Sequence, residues 1–217
     1  MKLAKRLSAA VADGIRRIGQ ISIRPQNGGY LLHHIDDEDG DLASLEKFEG
    51  SAAARDLSTW AEDGHYRFTK GELSLKRGWL LQLSSAEELR QALDHFYPAA
   101  AGLWFAHQDG RLEIEHLRDK LNRQTGMYRF ARNLSDAGAQ RLVREVCGPG
   151  NCCVKKILWQ IDANTPLEDS EASRFDGVTG DVNRSQAIPL LCREACNHFV
   201  AEARKASKAE QDAKAAG

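Results

Sequence analysis

The sequence predicts an α+β protein with a small N-terminal α/β domain followed by a helix-rich domain that carries the cysteines. Three observations lead there. Short apolar runs bounded by Gly, Pro and Asn alternate with amphipathic stretches in the first half. Helical apolar spacing dominates from about residue 112 onward. All five cysteines of the 217-residue chain fall between Cys147 and Cys196. We place the domains at residues 1–97 and 98–217, with a long polar loop over 164–184 in the second.

In the first domain, Leu3, Leu7, Val11, Ile15 and Ile18 recur at spacings of three and four, the pattern of an amphipathic helix. Residues 20–24 and 30–35 read as strands joined by Pro25, Asn27, Gly28 and Gly29. The acidic run Asp36, Asp37, Glu38, Asp39 and Asp41 reads as a solvated loop and lacks the closing glutamate of a calcium loop. Residues 51–63 read as a helix with Leu57 and Trp60 on one face. Residues 66–69, 72–75 and 79–83 follow as strands. Ser85 then caps a helix through Leu89, Ala92, Leu93 and Phe96, with Glu88 at the capping-box position and Pro98 beyond its end.

In the second domain, Leu103 to His107 reads as an apolar strand, with a turn at Asp109 and Gly110. Leu112, Ile114, Leu117 and Leu121 mark a helix to about Arg123. Ser135 caps another helix, broken at Cys147 by Gly148, Pro149 and Gly150. Residues 154–161 read as a strand. The last helix is expected to start near Pro189, a natural first-turn residue, and to fray from Arg204 onward.

A net charge of −1, with 28% charged and 42% hydrophobic residues, describes an ordinary folded protein. It gives no global attraction to nucleic acid or anionic membrane. No run approaches the roughly 20 apolar residues of a membrane span. Residues 1–17 have no continuous apolar stretch, so we expect no signal peptide, a cytoplasmic protein and reduced cysteines. His33, His34, His65, His95, His107, His116 and His198 form no cluster with metal-ligand spacing. No P-loop, GxGxxG, GxSxG or HExxH is present. No catalytic constellation is evident.

The cysteines Cys147, Cys152, Cys153, Cys192 and Cys196 therefore carry the chemistry. Cys192 and Cys196, four apart on an expected helix, would share one face. Cys192 would lie in its first turn, where the dipole favours a thiolate. One loop-borne and one helix-borne group of thiols can close a four-sulfur metal cage. Structural zinc favours two tight C-x2-4-C knuckles. Here four or five residues separate Cys147 from the pair Cys152 and Cys153, then 38 or 39 intervene, then three. A [4Fe–4S] cluster accepts wider spacing, and Arg144, Lys155, Lys156 and Arg193 would offset its negative charge. A zinc-binding interaction module is the alternative.

Phe96-Tyr97-Pro98, the segment LRDKLNRQTGMYR from Leu117 to Arg129, the run CVKKILW from Cys153 to Trp159, and CREAC from Cys192 to Cys196 carry a resemblance. They resemble the 4Fe-4S cluster-binding domain of multi-domain proteins that also hold a CbiX-type, sirohydrochlorin cobaltochelatase-like domain. The part before Phe96, including residues 71–83, is similar to the stabilising domain of those proteins. The resemblance implies a 4Fe-4S cluster on Cys147, Cys153, Cys192 and Cys196, with Cys152 as the spare, since neighbours on an extended segment point to opposite sides. It implies a redox or accessory role near tetrapyrrole or cobalamin metabolism. It brings no chelatase domain with it, so that activity would come from a chelatase-like or redox partner. Arg123 and Arg129, in the loop around Gly126, are candidate anion binders; a tight connector, with Gly126 at positive φ and Met127 and Tyr128 packed, is the other reading.

Overall fold

The computed structural model describes residues 2–58, 75–147, 153, 155–167 and 186–216. The chain forms two compact units. Of the described residues, the first unit takes those up to 111 and 186–190, and the second takes 112–167 and 191–216. The strands expected at 66–69 and 72–75 and the helix end carrying Trp60 fall largely outside the described residues. So do Cys152 and most of the polar loop.

Helix α1 (Leu3–Ala12) opens the first unit and buries Ala4, Leu7 and Val11. The apolar stripe continues to Ile18, but the helix does not. Gly14 takes a φ of +119°, which an L side chain resists, and Ile18 enters strand β1 (Arg17–Ile18) instead. Strands β2 (Ile21–Gln26) and β3 (Gly29–His34) form a hairpin in which Gln26 faces Gly29 across an Asn27–Gly28 turn, with Gly28 at φ +81°. Pro25, expected in the turn, lies in β2 opposite Tyr30. Pairing of β1 reaches only Ser22, so no ladder bond on that side needs the N–H that proline lacks.

Strand β4 (Glu46–Glu49), helix α2 (Ala53–Leu57) and strand β5 (Trp79–Leu83) follow. Helix α3 (Ala86–Phe96) starts at Ser85, whose hydroxyl accepts from Glu88 N at 3.2 Å. The Glu88 carboxylate reaches Ser84 N at 2.7 Å, one residue before the expected capping-box partner. Phe96 stacks on Trp79 with ring centroids 5.3 Å apart, so this helix packs on the sheet.

Residues 103–107 are helical and not a strand: they belong to α4 (Ala100–Gln108). A five-residue apolar run has no decisive period, and Ala100 and Ala101 before it and Ala106 within it are strong helix formers. Gly110, at φ +66°, follows its end. Arg6 ties α1 to that end through two bonds to Asp109, at 2.6 and 2.8 Å. Arg6 and then Arg111 hold the Asp109 carboxyl well below the usual carboxylate range. Strand β7 (Ala187–Ile188) pairs in parallel with β1. Among the described residues the sheet order is β4-β5-β3-β2-β1-β7.

The second unit holds α5 (Leu117–Asn122), a 3-10 segment (Gly126–Asn133), α6 (Asp136–Val146), β6 (Lys156–Ile157), β8 (Leu191–Cys192) and α7 (Asn197–Ala216). The helix expected from Leu112 starts only at Leu117, because Leu117 N and Arg118 N bond to the carbonyls of Gln160 and Ile161. The strand expected over 154–161 is regular only at β6, with an isolated bridge from His116 to Gln160. Leu117, Leu121, Leu142, Val143, Trp159, Ile161, Phe199 and Val200 lead its core.

Candidate metal centre

The two elements that lead to cysteines start from caps and core contacts readable residue by residue. Helix α6 begins where the Ser135 hydroxyl accepts from Gly138 N at 3.0 Å, with Asp136 in the first turn, where a negative charge suits the dipole. Its buried face, Gly138, Ala139, Leu142 and Val143, ends at Cys147, whose N–H closes the helix on Val143 O at 2.9 Å. Cys147 is half-buried against the core of the second unit, and Cys192 packs on the same core.

Cys192 and Cys196 do not share a helix face. Residues 191–192 are strand β8, paired in parallel with β6 so that Ile157 faces Cys192, and Leu158 N donates to Cys192 O at 2.8 Å. The last helix starts at Asn197, eight residues beyond Pro189. Pro189 separates β7 from β8, and extended β-pairing on both sides of it overrides its preference for a first helical turn. Cys196, exposed, directly precedes α7, and its Sγ accepts from Phe199 N at 3.5 Å. The favourable helix N-terminus expected for Cys192 thus belongs to Cys196. Helix α7 does not fray at Arg204: Ala203 and Ser207 are fully buried, and Ser207 Oγ donates to Phe130 O at 2.8 Å.

Burial pushes the Cys192 thiol up to about 11, from an ordinary 9.0. The proximity of Cys153 and Cys196 pushes in the same direction, while Trp159 and Lys155 favour the thiolate. In the protonated form Cys192 Sγ donates to Glu194 O at 3.1 Å. Cys153, half-buried, therefore lies in the electrostatic neighbourhood of Cys192, as does Cys196. The four described cysteines are not joined to one another by disulfides. Among the described residues, no three His, Cys, Asp or Glu side chains draw into a tight single-ion group.

Trp159, the end of the CVKKILW run, has a place beside Cys192 that the sequence did not reveal. It is 2% exposed and packs edge-on against Phe199 with ring centroids 5.2 Å apart. Its indole N–H is buried without a hydrogen-bond partner among the described residues. The approach of Trp159 that favours the Cys192 thiolate falls short of a standard hydrogen bond. The signal in the sequence was a tryptophan six residues after Cys153, directly behind the apolar pair Ile157 and Leu158, since a buried indole N–H calls for an acceptor.

The candidate anion binders separate. Arg123 pairs with Glu115, and Arg129 lies over the Phe130 ring at 4.9 Å. Gly126 takes the positive φ expected of a connector, +57°. Tyr128 packs on the core as that reading requires, but Met127 is 60% exposed. His33 and His34, at 0% and 2% exposure, are core residues of the first unit.

Comparison with known proteins now bears on this geometry. Residues 3–108 match the family model of the DR2241 stabilising domain, and residues 109–205 match that of the 4Fe-4S iron-sulfur cluster binding domain. The chain is similar to the crystal structure of DR2241 from Deinococcus radiodurans, with a TM-score of 0.69 and 26% identity. That protein is described as a multi-domain protein with structural similarity to chelatases and two additional novel domains. The match covers 96% of this chain and 42% of DR2241. No curated protein matches the chain. The comparisons lend no support to the zinc alternative. Among the described residues no helix is long and apolar enough to cross a membrane. The chain therefore joins a member of the DR2241 stabilising-domain family to a member of the 4Fe-4S iron–sulfur cluster binding domain family, and it is an iron–sulfur-binding protein.

Proposed function

We propose that Cys147, Cys153, Cys192 and Cys196 hold one [4Fe–4S] cluster, and that the chain serves a redox or accessory role beside a chelatase-like or redox partner in the cytoplasm. The observation that carries this reading is that Cys147 and Cys192 pack on the core of the domain that matches the cluster-binding family, with Cys153 and Cys196 in the electrostatic neighbourhood of Cys192. The donor set fits the group. Thiolates are the cluster's ordinary ligands, Lys155 offsets their charge, and the unpartnered indole N–H of Trp159 suits a sulfur acceptor.

A bound cluster would supply one-electron transfer. The protein's own residues hold it at two depths. Cys147 and Cys192 sit against the apolar core, while Cys196 is exposed at a helix start, where its Sγ accepts from Phe199 N. Four cysteine ligands leave no iron position open to substrate, which favours electron transfer or structural support over substrate activation. The place near tetrapyrrole or cobalamin chemistry rests on similarity to DR2241, itself similar to chelatases, of which this chain spans less than half.

Anaerobic reconstitution with iron and sulfide tests the ligand set. A broad visible charge-transfer band should form in the wild type and in Cys152→Ser. It should be lost or much weakened in Cys147→Ser, Cys153→Ser, Cys192→Ser and Cys196→Ser. A full band in any of those four removes that cysteine from the set.

A further inference from the structure

We propose that the indole N–H of Trp159 is a built-in hydrogen-bond donor to the sulfur of Cys192 and raises the reduction potential of the cluster held there. This deepens the ligand assignment above and rests on it. An indole N–H buried without a partner loses the full desolvation cost of a polar group, about 1–3 kcal/mol. Such groups persist where an acceptor arrives later. Trp159 is 2% exposed, and its N–H finds none among the described residues.

The backbone aims Trp159 at Cys192. Strand β6 pairs with β8 with Ile157 opposite Cys192, and Leu158 N donates to Cys192 O at 2.8 Å, which brings the next residue, Trp159, alongside the cysteine. The ring is then fixed by its edge-on contact with Phe199. Cys192 as a thiol spends its own hydrogen on Glu194 O. Once ligated it has no hydrogen, and its sulfur becomes a pure acceptor. A donor already in place costs no rearrangement at that moment. Hydrogen bonds to cluster sulfurs stabilise the more negative, reduced state, and so raise the potential.

The test is Trp159→Phe, which keeps an aromatic ring against Phe199 and deletes the N–H. Wild type and variant are reconstituted in the full chain, and iron, sulfide and the midpoint potential are measured on both. Equal loading with a potential lower in the variant, by about a tenfold change in the reduction equilibrium (about 59 mV for one electron), supports the proposal. Equal loading with equal potentials overturns it and leaves the ligand assignment standing. A wild type that takes up no iron and sulfide removes that assignment, and this proposal with it. A second measurement needs no variant. Wild-type protein labelled with 15N-tryptophan, reduced and examined by pulsed electron paramagnetic resonance, should show a 15N coupling to the cluster. Its absence overturns the proposal even if Trp159→Phe fails to fold.

Discussion

Gly138→Ala should destabilise the wild-type protein and stabilise a Glu210→Ala variant. Helix α6, which ends at Cys147, and helix α7, which follows Cys196, are locked together at Ser135. The Glu210 carboxylate accepts from Ser135 N at 3.0 Å and from Ser135 Oγ at 2.8 Å. Its side chain is 16% exposed and lies 3.7 Å from Arg141. A methyl group on Gly138 would overlap Glu210 Oε1, and would press on Leu134 Cδ1 at 2.9 Å, the end of a flexible side chain. In a free helix alanine is better than glycine by about 1 kcal/mol. Displacing the carboxylate sacrifices two hydrogen bonds to a charged group, each about 1.5–3 kcal/mol when buried and less at this exposure. The net for Gly138→Ala alone is a loss of about 1–2 kcal/mol. With Glu210 already truncated, the flexible end of Leu134 can swing aside and the helix preference dominates, a gain of about 0.5–1 kcal/mol. Guanidinium unfolding of the four proteins of the cycle, followed by helical circular dichroism, measures the coupling. A coupling of about 2 kcal/mol is expected, and additivity within about 0.5 kcal/mol would refute the clamp.

Other outcomes follow from the same geometry. In metal-free protein at pH 8, iodoacetamide should reach Cys196 first and Cys192 last, since a thiol titrating near 11 instead of 9.0 is about 100-fold less ionised; equal rates by mass spectrometry contradict this. Burial lowers the His34 pKa, with Asp36 opposing. The unfolded chain therefore binds more protons below its ordinary value of about 6.5, and stability falls as pH drops through that region. His34→Asn should flatten the fall in melting temperature between pH 7.5 and 5, and an unchanged profile would exonerate His34. Phe199→Ala, at a site with no exposure, should cost about 3–5 kcal/mol, because it empties the core against Trp159; a loss under about 1 kcal/mol in guanidinium unfolding would contradict that packing.

Much of the fold was legible because local chemistry and packing agreed. Leu7 and Val11 of the first apolar stripe, the hairpin around Gly28, and the caps at Ser85 and Ser135 all stand as the residues imply. The failures came where tertiary pairing overrode local preference. Leu191 and Cys192 carry a helix-compatible pattern after Pro189, yet parallel pairing with Lys156 and Ile157 makes them a strand. No spacing within residues 189–196 reveals a partner more than thirty positions away. Residues 103–107 were too short a run to show a period. At the metal centre the cysteine identities were plain. The depth of Cys192, the cap-like role of Cys196 and the unpartnered indole of Trp159 emerge only when β6, β8 and α7 come together.

The most direct test of the central claim is the iron and acid-labile sulfide content of the full chain, purified and reconstituted without oxygen. The account predicts about four iron and four sulfide per chain, with little zinc. One equivalent of zinc with neither iron nor sulfide would contradict it.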